Sequence, residues 1–202
     1  MEKSDGWKWN ASPNGMFSIK SAYTTLSMTA TANHSYSEKP EFTMIWKTPA
    51  TQKAKTTAWR VLKGRMAICD NLQRQQVNIS SSEAVCVLCK THLETTEHLF
   101  FTCQNSVDIW NDVLNWLGKK TVLHHKAKDH FLAFRSIGDK EEEKFYSGIW
   151  ICIIWCVWKG RNEGKFNQGV WNKDRIVTEI KSRLWGWKEA FNLTNASPDF
   201  RS

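Results

Sequence analysis

Four residues in the stretch "CVLCKTHLETTEHLFFTC", residues 86 to 103, have the types and spacing to bind a metal ion: Cys86, Cys89, His98 and Cys103. Their pattern is C-x2-C-x8-H-x4-C. A C-x2-C pair aims two thiolates at one tetrahedral centre from a single tight turn, which suits zinc. The H-x4-C half brings His98 and Cys103 together if "HLFFTC" forms a helical turn. Four protein ligands close a tetrahedral site and leave no position for water, so the ion expected is one structural Zn2+ and not a catalytic one. His92 competes with His98 for the third ligand position; the x4 spacing to Cys103, like the second half of a retroviral-type zinc knuckle, favours His98. A redox role for Cys86 and Cys89 would call for a βαβ pattern, which is not seen around them. The remaining cysteines do not join the set. Cys69 has no second ligand nearby in the sequence, and Cys152 and Cys156, four apart amid Trp and Ile, read as small core hydrophobes. His124, His125 and His130 lack a matching cysteine or carboxylate set and read as surface histidines.

The elements that must position these ligands are mostly helical. "DGWKWNASPNGMFSIK" alternates Trp7 and Trp9 before a Pro13, Asn14-Gly15 turn, which predicts a short β-hairpin. Ser18 or Ser21 then caps a helix through Leu26. Residues 27 to 40, "SMTATANHSYSEKP", are small and polar and read as a linker. A short helical turn, a break at Pro49 and a helix from about Thr51 to Lys63 follow, with Ala58, Trp59, Leu62 and Met66 on one face. Lys53, Arg60 and Lys63 gather on another face. "AICDNLQRQQV" reads as one more helix after Gly64. Beyond the cysteine loop come a helix closed by Gly118, a less regular one near residues 128 to 136, a long apolar one ending at Lys159 and Arg161, and a final amphipathic one through Ile176, Ile180, Leu184 and Trp187. The fold class expected is mainly α: a helical domain with an N-terminal β-hairpin and a zinc-knuckle-like loop over residues 1–118, then a Trp-rich helical segment over 119–202.

Composition narrows the function. The 202 residues carry a formal charge of +8 and twelve tryptophans. From Lys47 to Arg74 there are seven cationic residues against one acid, Asp70. Lys53, Arg60, Lys63, Arg65 and Arg74 are therefore the candidate phosphate contacts for RNA or DNA. The run "GDKEEEK" reverses the sign, and its acids suit the start of the long helix. "MEKSDGWKWN" has no apolar h-region, and the longest apolar run, "IWICIIWCVW", is about half the ~20 residues that cross a bilayer. The expectation is an intracellular protein, nuclear or cytoplasmic, with reduced cysteines and no membrane partner. No nucleophile–base arrangement, Gly-rich phosphate loop or Asp-Asp pair stands out, so neither an enzyme nor a small-molecule substrate is expected.

The order of blocks, "W-x-W … NGMFSIKSAYTTL … IWKTPATQKAKTTAWRVLKGRMAICDNLQRQQV … CVLCKTHLETTEHLFFTC … IW", resembles the zinc-binding domain of plant LINE-type (non-LTR) retroelement reverse transcriptases over about residues 7 to 117. The tail "IWCVWKGRNEGKFNQG…IVTEIKSRLWGW" resembles the Trp-rich segment that follows this domain in such polyproteins. The resemblance implies zinc ligands at Cys86, Cys89, His98 and Cys103, and a role in holding template or target nucleic acid. It implies no catalysis, since the chain lacks the paired aspartates of the polymerase. The carboxylates and strands of an RNase H domain do not follow Cys103 either. The competing reading is a protein-interaction or scaffold remnant that associates with itself or with another protein through its Trp-rich helices.

Overall fold

Eight α-helices and one π-helical turn make up the ordered elements of a computed structural model that describes residues 7–33, 40–80, 83–167 and 169–187. The chain divides into two compact units, Met1–Lys39 and Pro40–Ser202.

In the first unit the predicted turn forms but the hairpin does not. The Trp9 N–H donates to the Gly15 carbonyl at 2.8 Å, and Gly15 takes φ +73°. Among the described residues no ladder extends from this turn. Trp7 is fully exposed with nothing to alternate against, and Trp9 instead packs edge-on to Phe17 and donates its indole N–H to Ser21. Ser18 then ends any extended chain. Its hydroxyl accepts from the Ser21 N–H while the Ser21 hydroxyl accepts from the Ser18 N–H, a reciprocal cap that starts helix α1 (Ile19–Asn33). Helix α1 runs past Leu26 over residues read as linker; residues 34–39 lie outside the described residues.

The second unit is built around one helix. It contains α2 (Pro40–Lys47), α3 (Gln52–Leu62), α4 (Cys69–Arg74), the π-turn His98–Thr102, α5 (Gln104–Trp116), α6 (Ala127–Arg135), α7 (Glu143–Phe166) and α8 (Lys173–Trp187). Helix α3 starts where the sequence indicates, with the Thr51 side chain accepting from the Ala54 N–H. Helix α5 stops at Gly118, whose φ of +63° turns the chain so that the Lys119 N–H reaches the Leu114 carbonyl.

Helix α7 is apolar on every side from Phe145 to Ile154 because α2, α3, α5, α6 and α8 all pack against it. Among the described residues no helix is long and apolar enough to cross a membrane. Among the described residues Trp110 and Trp150 are the fully buried tryptophans; Trp59, Trp155 and Trp158 are half-buried against the same core. Trp110 donates its indole N–H to the Phe100 carbonyl at 2.8 Å, and Trp150 donates to His130 Nδ1 at 3.1 Å. His130 is therefore a core residue, enclosed by Phe101, Trp110, Phe134 and Trp150, not the surface histidine expected. The core runs across residue 118, since α5 packs on α7 and α8.

Candidate metal centre

Two short local structures bring the ligands together. The first is a narrow two-stranded loop. Val85 and Leu93 form an antiparallel bridge, the Cys86 N–H donates to the His92 carbonyl, and the Glu94 N–H donates to the Ala84 carbonyl, each at 2.8 Å. At its tip the Lys90 N–H returns to the Cys86 carbonyl at 2.9 Å, and Lys90 takes φ +59°. This turn points Cys86 and Cys89 to one side.

The second structure is the π-turn His98–Thr102. Thr95 opens it, accepting at its hydroxyl from the His98 N–H, and the Cys103 N–H closes it on the His98 carbonyl at 2.7 Å. The i to i+5 bond of a π-turn lets a four-residue spacer return the chain to the same side, which an α-turn would overshoot. The intervening Leu99, Phe100 and Phe101 point into the core and are buried. Asn105 ties the two structures by donating to the Leu88 carbonyl at 2.9 Å.

The outcome is a set of four ligand atoms, on Cys86, Cys89, His98 and Cys103, all within 4.8 Å of one another. Among the described residues it is the one such group of His, Cys, Asp or Glu. Cys89 Sγ lies 3.3 Å from His98 Nε2. A tetrahedral zinc with Zn–S near 2.3 Å and Zn–N near 2.1 Å sets ligand atoms about 3.5–3.8 Å apart, so the cluster fits after shifts of about 1 Å or less, the longest separations closing and Cys89–His98 opening slightly. His92 stands outside it: its Nδ1 is 3.9 Å from Cys89 Sγ and 2.9 Å from the Thr91 hydroxyl, and its ring lies 5.1 Å from that of His98.

Electrostatics favour thiolates at Cys86 and Cys89. A hydrogen bond from the Cys103 thiol brings Cys86 down to about 6 against the opposing effect of burial. Giving that bond, and being buried itself, pushes Cys103 up. Burial also acts to raise Cys89, but hydrogen bonds from Thr91 and His92 outweigh it and bring the thiol down to about 5. Cys103 also precedes the first turn of α5, whose unpaired N–H groups favour a negative sulfur. A cation at this point would take the place of the shared thiol proton.

The remaining candidates fall elsewhere. Cys152 and Cys156 are buried in α7, and Cys69 is buried with its Sγ 3.3 Å from Glu94 Oε1. His124 and His125 are exposed. Lys53, Arg60, Arg65 and Arg74 are exposed, while Lys63 is half-buried with its ammonium 4.1 Å over the Phe42 ring. Arg74 pairs with Asp70 at 3.2 Å. Sequence reasoning missed Glu94 and Lys165, which contact Cys69, and Arg161, which pairs with Glu94.

Residues 17–110 match the family described as zinc-binding in reverse transcriptase. That match takes in all four candidate ligands, Cys86, Cys89, His98 and Cys103, and ends inside α5. Among the curated proteins a "Putative ribonuclease H protein" of Arabidopsis thaliana is 28% identical over 174 residues, covering 85% of this chain and 27% of that protein. The chain thus spans little more than a quarter of this relative's length, and the likeness reaches well beyond the zinc-binding match. No solved structure matches.

Proposed function

We propose that the chain is a non-catalytic zinc-binding module from a plant retrotransposon reverse transcriptase polyprotein, holding one structural Zn2+ and contacting RNA or DNA. The observation that carries the reading is the convergence of Cys86, Cys89, His98 and Cys103 within 4.8 Å. Four protein ligands of this kind saturate a tetrahedral ion and leave no site for an activated water, so the metal's work is structural. Residues 1–118 are the module of the polyprotein and 119–202 the segment that follows it; the boundary belongs to the family pattern, not to the packing.

Nucleic-acid binding rests on the basic surface of α3 and its flanks. Helix α3 carries no acid, and Lys53, Arg60 and Arg65 are exposed with no ion pair to an acid among the described residues. Trp46, 40% exposed, adjoins this surface, since the Lys55 ammonium donates to its carbonyl at 3.1 Å. An aromatic face beside cations suits stacked bases and phosphates of a single strand.

The test is a salt titration of binding to a single-stranded oligonucleotide. With about four phosphates neutralised, the logarithmic slope is about −3, and affinity falls about 50-fold between 50 and 200 mM salt. The double variant Lys53→Ala/Arg60→Ala is expected to flatten that slope by about 1.4. Absence of binding at ~50 mM salt would remove the nucleic-acid role. Concentration-dependent self-association in that case would favour the scaffold reading, for which Phe166, Val170 and Trp185 are exposed apolar contacts among the described residues.

A further inference from the structure

We propose that α7 completes the metal-binding module, with Arg161 and Lys165 as positioning residues for a site whose last ligand is Cys103. The proposal rests on the zinc reading given above and extends it past the end of the family match.

The Arg161 guanidinium and the Glu94 carboxylate form a two-pronged ion pair: Nε to Oε2 at 3.0 Å and Nη2 to Oε1 at 2.5 Å. Both side chains are buried, at 3% and 0% exposure. Glu94 stands between the two ligand pairs, and its backbone closes the two-stranded loop that carries Cys86 and Cys89. One turn further along α7, Lys165 donates to the Glu83 carbonyl and contacts Cys69 Sγ at 3.6 Å. Between them Gly164 lies flush against Val87, where an added Cβ would stand 2.7 Å from Val87 Cγ1. Positions 161, 164 and 165 share one face of the helix. They touch residues 83, 87 and 94, on both strands of the ligand loop.

The loop needs such a template. "CKTHLETTEH" is polar and supplies little core of its own, so the metal alone would have to order it. A buried ion pair adds little net stability over an apolar contact of equal volume, but it accepts a single register. Arg161 is itself held by Asn162, at 2.9 Å, and lies over the rings of Trp158 and Phe166. The guanidinium is therefore fixed before the loop docks. Partners outside the ligand set commonly alter metal affinity 10- to 100-fold, and an effect in that range is expected here.

The experiment uses the full chain. Zinc dissociation constants are measured by chelator competition for wild type, Arg161→Met, Arg161→Lys and Gly164→Ala, with circular dichroism confirming the fold of each. Cobalt(II) substitution supplies a second readout, because its visible spectrum reports ligand geometry. Arg161→Met and Gly164→Ala should weaken zinc binding at least tenfold and alter the cobalt spectrum, and Arg161→Lys should recover part of the loss. Ile180→Val, a buried change in α8, controls for general loosening of the core and should leave both readouts unchanged. If Arg161→Met does not fold, Gly164→Ala and Arg161→Lys decide. Wild-type zinc affinity and cobalt spectrum in the folded Arg161 and Gly164 variants overturn the proposal alone. A wild-type chain that binds no zinc overturns the zinc reading with it.

Discussion

Removing zinc should lower the melting temperature of the whole Pro40–Ser202 unit, not merely loosen a surface loop. The π-turn between His98 and Cys103 supplies Leu99, Phe100 and Phe101 to the core, each 3% exposed or less. At about 1.5–3 kcal/mol for each buried side chain, roughly 5–9 kcal/mol of burial hangs on a turn that has a candidate ligand, His98 or Cys103, at each end. The same turn presents the Phe100 carbonyl to Trp110, and the Phe101 ring lies 6.5 Å from that of Trp110 and 6.3 Å from that of Trp150. The turn cannot detach without opening the centre of the core. Free zinc at about a thousand times its dissociation constant stabilises the folded chain by about 4 kcal/mol. At about 2–4 °C per kcal/mol for a chain of this size, chelation should lower Tm by about 8–16 °C. The assay is thermal unfolding followed by tryptophan emission, with and without a strong chelator and across a zinc titration. Tm should rise with the logarithm of free zinc. An unchanged Tm in protein that carries one zinc per chain would refute the reasoning, because the turn would then be held without its metal.

Two further outcomes follow from single residues. Burial pushes the His130 imidazole down to about 4, so the folded chain resists a proton that the unfolded chain accepts near 6.5. The stability held above pH 6.5 is therefore lost as pH falls toward 4, by about 3 kcal/mol at most. At saturating zinc His130→Gln, which keeps an acceptor for the Trp150 N–H, should flatten that acid slope; identical slopes would show that the proton goes elsewhere. Lys90 holds φ +59° at the tip of the ligand loop, which costs a side chain about 1–2 kcal/mol, against about 0.5–1 kcal/mol for the added flexibility of glycine. Lys90→Gly should thus raise stability by about 0.5–1 kcal/mol in denaturant unfolding, and a loss would mean that the ammonium supports the thiolates.

What the sequence made legible is what depends on short range. The cluster of Cys86, Cys89, His98 and Cys103 could be read because a C-x2-C turn and an H-x4-C turn are each local, and only their meeting is tertiary. Helices α3, α5, α7 and α8 showed in their apolar spacing and their caps. The N-terminal hairpin was misread because alternation of Trp7 and Trp9 implies a covered face, and Trp7 has none. Helix α1 was cut short because small hydroxyl residues look like linker. Ser27 instead donates its hydroxyl to the Thr24 carbonyl, at 2.9 Å, and the helix continues. His130 carried no local sign of burial; its neighbours Phe101, Trp110 and Trp150 come from three separate elements.

The partner of Arg161 leaves no trace in the sequence, and the reason is physical. A cation in the last turns of a long helix is explained by the helix dipole alone, so nothing in α7 demands a partner. Its partner is 67 residues earlier, in a polar loop where a glutamate also needs no explanation. Each charge looks ordinary by itself, and only their joint burial makes them unusual. Two apolar surfaces in that place could slide past one another by a turn with little loss. A guanidinium and a carboxylate removed from water cannot, because any other register leaves both buried without a partner. The pair therefore selects one seating of the ligand loop on α7, and that seating aligns Cys86 and Cys89 with the π-turn that carries His98 and Cys103.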